Sequence, residues 1–63
     1  MKLKAKIIEK GMSVKEVAEK MDLDISTLRR KIRDLNYFRR GEMLQIAKIL
    51  GLTKREMFDI FFG

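Results

Sequence analysis

The chain has 63 residues and no cysteine or histidine, which excludes a disulfide framework, a thiolate metal site and the commonest acid–base side chain near neutral pH. Hydrophobic content of 46% with four glycines and no proline predicts one folded domain over residues 1–63, with a core so small that stability is marginal. Net charge is +6, which favours an anionic partner; no apolar run approaches a membrane span or a signal peptide, so the expected compartment is the cytoplasm.

In chain order, MKLKAKII alternates apolar residues with lysines, yet Leu3 and Ile7 also stand one helical turn apart. Because IIEKG ends as a helix does, with Gly11 just beyond it, the expectation is a helix over about residues 2–10, with a short strand as the alternative. Ser13-Val-Lys-Glu16 is a capping box, in which serine and glutamate each satisfy the other's exposed amide. Val14, Val17, Ala18 and Met21 form the apolar stripe of the second helix behind it. Asp22-Leu23-Asp24 is a tight break, and Asp24 is placed to cap a third helix over about residues 25–33.

Residues 35–39 read as a loop, with Tyr37 and Phe38 expected to pin it to the core. A fourth helix over about residues 40–50 buries Met43, Ile46, Ala47 and Leu50, and Gly51 stops it. A second capping box, Thr53-Lys-Arg-Glu56, opens a last helix carrying Met57, Phe58, Ile60, Phe61 and Phe62. Five short helices make an all-α domain.

The third helix is the informative one. At about 100° per residue, Ile25, Leu28 and Ile32 form a seam only about 60° wide. Arg29, Arg33, Ser26 and Arg30 follow on one flank as a continuous polar and cationic stripe. Residues 29–40 hold six cations and one carboxylate; the remainder holds nine cations and eight carboxylates. A solvated basic face is the competing explanation of the charge, but it does not require the cations to align. Two short helices joined by a tight break, with small Ala18 where they must cross, form a helix-turn-helix whose second member suits a DNA major groove.

At this point the chain resembles the lambda-repressor/Cro-like, or Xre, helix-turn-helix domains, especially small phage or prophage versions. SVKEVAEKMDLDISTLRRKI carries the likeness, with Val17, Ala18, Met21, Leu23 and Leu28 at core positions, and FRRGEMLQIAKILGLTKREMFDIFF extends it. The resemblance implies a compact five-helix, lambda-repressor-like fold with the helix-turn-helix at helices two and three. It also implies a repressor-like or Cro-like transcription regulator of double-stranded operator DNA, in a family that usually binds as a homodimer; the sequence leaves monomer or dimer open.

By position, the resemblance makes Ile25, Ser26, Arg29 and Arg30 the base-reading group. Arg30 leads because an arginine grips guanine O6 and N7 together, whereas the angle of Ile25 also lets it join the core seam. Ser13, Lys15, Thr27, Arg33, Arg39 and Arg40 become phosphate contacts that position the domain. The chain departs from the family in having Asp22 where glycine is common and Asp24 where serine or threonine is common.

The second reading is a protein-interaction module of the same fold, an antirepressor or accessory factor docking through FDIFF. Phe58, Phe61 and Phe62 are its candidate surface, or that of a dimer. An enzyme is not expected, since GLTKRE lacks the second glycine of a phosphate loop. No metal, cofactor, small-molecule ligand or membrane contact is expected.

Overall fold

The computed structural model describes residues 2–63 as α1 (Lys2–Glu9), α2 (Val14–Lys20), α3 (Ile25–Arg33), α4 (Arg40–Leu50) and α5 (Lys54–Phe62), with a one-turn 3-10 helix at Leu35–Tyr37. The strand alternative at the N-terminus gives way to α1, which buries Leu3 and Ile7 on one face; Met1 lies outside the described residues. The globule measures 27 × 24 × 20 Å.

Three corners share one construction. Gly11-Met12-Ser13, Asp22-Leu23-Asp24 and Gly51-Leu52-Thr53 each begin with a left-handed residue, at φ 79°, 57° and 66°. The next residue's amide reaches back to close the preceding helix: Met12 to Ile7, Leu23 to Ala18 and Leu52 to Ala47, at 3.0, 2.9 and 2.8 Å. This is the Schellman closure, whose apolar middle residue folds onto the core. The third residue is the N-cap of the next helix.

The caps differ in how they work. Glu16 N–H donates to Ser13 Oγ and Ser13 N–H to Glu16 Oε1, at 3.1 and 3.2 Å. Glu56 N–H donates to Thr53 Oγ1 and Thr53 N–H to Glu56 Oε1, at 3.1 and 3.0 Å. Both expected capping boxes are formed. Asp24 is the correction: it occupies the N-cap position of α3 with extended backbone but makes no side-chain cap bond. Its partner position three residues on is Thr27, which has no carboxylate to complete a box. At α4, Arg39 N–H donates to Glu42 Oε1 at 2.9 Å. The reciprocal half is missing there because arginine holds no acceptor.

The core draws on every helix: Leu3, Ile7, Val17, Ala18, Met21, Leu28, Ile32, Phe38, Ile46, Leu50 and Ile60 form one buried cluster. Ala47 is buried as expected, whereas Met43 is only half-buried, packed at the cluster's edge. Tyr37 is a second correction, being 50% exposed rather than part of the core. In a 3-10 turn residues three apart eclipse each other, so Leu35 and Phe38 point inward together and Tyr37 is turned out. Phe61 packs edge-on against Phe38, ring centroids 5.6 Å apart.

Candidate nucleic-acid interface

The seam of α3 is buried through Leu28 and Ile32, and Ile25 is half-buried against the same cluster. That leaves Ser26, Thr27, Arg29, Arg30 and Arg33 exposed on the rest of the helix. The nine-residue helix is about 13 Å long, a length that a major groove accepts.

The exposed residues of α3 border two clefts. Arg29 and Arg33 border a cleft shared with Lys4 of α1 over a floor of Val14 and Ile32. Arg30 instead borders a second cleft with Thr27, Lys31, Tyr37 and Arg39. Its guanidinium lies 4.7 Å from the centre of the Tyr37 ring. Two cationic clefts therefore bracket α3, one built with α1 and the other with the segment that follows α3.

Four lysines are held in ion pairs within the fold. Lys31 Nζ stands 3.1 Å from Glu42 Oε1 and donates to the Tyr37 carbonyl at 3.0 Å, tying α3 to the following turn and to α4. The Arg39 amide, and next the Lys31 ammonium, hold the Glu42 carboxyl below the usual carboxylate range. Lys6 and Lys10 pair with Glu56, and Lys2 stands 3.2 Å from Asp59. Among the described residues, no carboxylate pairs with Arg29, Arg30, Arg33, Arg39 or Arg40.

Of the other expected contacts, Ser13 and Lys15 are exposed at the start of α2, where the Ser13 hydroxyl is already engaged with Glu16. Arg39 and Arg40 are exposed at the start of α4. The aromatic group at the other end divides. Phe58 and Phe62 are 65% and 71% exposed and lie 5.8 Å apart, while Phe61 turns toward Phe38 and is half-buried. Phe61 therefore faces the core rather than a free surface.

Lys4, Tyr37 and the Lys31–Glu42 pair were not evident from the sequence as parts of this region. The spacing of α1 fixes its buried face but not which neighbour its lysines approach. A family model described as a Cro/C1-type HTH DNA-binding domain matches residues 2–61. Neither the comparison with curated proteins nor that with solved structures returned a match.

Proposed function

The chain belongs to the Cro/C1-type helix-turn-helix DNA-binding domain family, and from that premise we propose that it is a sequence-specific transcription regulator occupying an operator in double-stranded DNA. In this reading the whole chain acts as one domain, a repressor-like or Cro-like regulator of the small phage or prophage kind. α3 lies in the major groove, where Ser26 and Arg30 face base edges with Arg29 beside them. Ile25 packs mainly beneath them. Ser13, Lys15, Thr27, Arg33, Arg39 and Arg40 hold the phosphates, and Lys4 joins Arg29 and Arg33 on the α1 side.

One observation carries the reading: five arginines on and just after α3 have no described carboxylate partner, while Lys2, Lys6, Lys10 and Lys31 are paired. Like charges on one helix flank repel by a few tenths of a kcal/mol per pair. A polyanion relieves that repulsion and releases counterions as it binds.

Exposed Phe58 and Phe62 favour a homodimer, which would set two α3 helices about 34 Å apart on a two-fold operator. The same rings could serve a different protein instead, which is the second reading, an accessory factor docking through the C-terminal aromatic segment.

The test is selection of duplexes from a random library, followed by titration of the best duplex against random DNA at several salt concentrations. A site bound at least about 1,000-fold tighter than random DNA, with an inverted repeat, is the expected result. Weak, sequence-blind binding that disappears with salt would overturn the operator reading and direct attention to a protein partner.

A further inference from the structure

Arg30 is braced. Its guanidinium sits over Tyr37, a residue outside α3 and outside the helix-turn-helix itself. We propose that Tyr37 is a positioning residue that holds the Arg30 side chain ready for a guanine in the major groove. The proposal rests on the DNA-reading assignment of α3 and adds to it what fixes the reader.

The Tyr37 backbone is anchored from several directions. Its N–H donates to the Asp34 carbonyl at 3.1 Å, and its own carbonyl accepts from Lys31 Nζ at 3.0 Å. Lys31 is in turn fixed by Glu42 of α4. The next residue, Phe38, is buried and braced by the edge-on Phe61 ring. A ring that is half exposed thus rises from a segment tied to α3, α4 and α5. No core requirement accounts for an aromatic residue there, since Leu35 and Phe38 already fill the inward positions of the turn.

The chemistry follows from the shape of the two groups. A guanidinium stacked on a ring uses its face and keeps its in-plane N–H donors for an acceptor pair. Guanine offers such a pair, O6 and N7, side by side on its major-groove edge. An unbraced arginine must surrender rotamer freedom when it engages a base, whereas one already resting on a ring surrenders less. At an exposed site the stack accounts for about a two- to five-fold gain in affinity.

The experiment compares the parent with Tyr37→Phe, Tyr37→Leu, Arg30→Ala and the Tyr37→Leu/Arg30→Ala double variant. Each is titrated on the duplex the parent selects from a random library and on random duplex. The expected result is that Tyr37→Phe binds as the parent does. Tyr37→Leu loses about two- to five-fold on the selected duplex alone, with an unchanged salt slope and no further loss when Arg30 is already alanine. In the free protein, Tyr37→Leu also removes the ring-current shift of the Arg30 side-chain protons, and Tyr37→Phe retains it.

Equal losses on both duplexes, or in both backgrounds, would overturn the proposal by making Tyr37 an independent contact. A loss from Tyr37→Phe as large as that from Tyr37→Leu would overturn it in favour of the hydroxyl. Arg30 proton shifts unmoved by Tyr37→Leu would show that no stack forms. If the parent selects no duplex, or Arg30→Ala binds it unchanged, the reading of α3 fails and the proposal falls with it.

Discussion

Arg30 and Arg40 carry the same charge but stand at different places on the fold, and the proposed interface gives them different roles. Arg30 projects from α3 over Tyr37, while Arg40 is the exposed first residue of α4. Arg30→Ala is expected to relax preference at one base pair by about 1–3 kcal/mol, read by titrating duplexes substituted at single positions. Arg40→Ala should weaken every duplex alike and lower the salt slope by about 1. Both arginines were visible in the sequence as cations, and helical angle separated Arg30 from the core. Tyr37 was not visible as its neighbour, because aromatic content beside an apolar residue suggests burial. The deciding fact was the eclipsing of Leu35 and Phe38 in a 3-10 turn, which spacing does not reveal where a loop is expected.

Helices that begin and end alike need not be equally secured. The corners before α2 and α5 use glycine, an apolar residue and a hydroxyl cap, whereas the corner before α3 uses Asp22, Leu23 and Asp24. Asp22 adopts φ 57°, a conformation glycine takes without strain from a side chain, and Asp24 makes no cap bond. Ser13→Ala should therefore cost about 1 kcal/mol, while Asp24→Ala should stay within about 0.5 kcal/mol. The Asp22→Gly/Asp24→Thr pair should stabilise by about 1–2 kcal/mol, raising the thermal midpoint by several degrees, measurable by circular dichroism. Because it also removes two carboxylates next to the helix assigned to the groove, DNA affinity at low salt should rise.

Element boundaries were largely legible here, since glycines, serine and threonine mark the same corners the backbone uses. What misled was reading aspartate at a cap position as a working cap. A working cap needs the side-chain oxygen turned toward a backbone amide of the first turn, a matter of rotamer that the residue type does not fix.

Across the whole molecule, ion pairs join α1 to α5 and α3 to α4, and exposed phenylalanine rings gather on α5. The Glu56 carboxyl is lowered to about 2, first by the Thr53 amide and next by the Lys6 ammonium. A carboxylate depressed on folding contributes stability that is complete above its unfolded value, about 4.5, and is lost as pH falls toward about 2. Thermal midpoints should drop through that window, and Glu56→Gln should flatten the drop. Lys6 runs the other way: its raised value, caused first by Glu9 and then by Glu56, contributes below pH 10.5 and fades at higher pH. At the aromatic end, Phe58→Asp with Phe62→Asp should yield a monomer by sedimentation if those rings join two copies. The fold should survive, because both rings are mostly exposed. The all-α class and the family were legible throughout, from periodicity and from the order of motifs. Which cations were neutralised was not, because pairing such as Lys6 with Glu56 joins residues far apart in the chain.

The Lys2–Asp59 pair, 3.2 Å apart, joins the first residue of α1 to α5. A 63-residue polymer released from this fold expands to a radius of gyration of about 24 Å, against 10.3 Å when folded. A donor dye near residue 2 and an acceptor near residue 59 would therefore be close only in the native globule. Their energy transfer would follow collapse and unfolding from the side of the protein that holds Lys2 and Asp59, giving a clock for folding that is read away from α3.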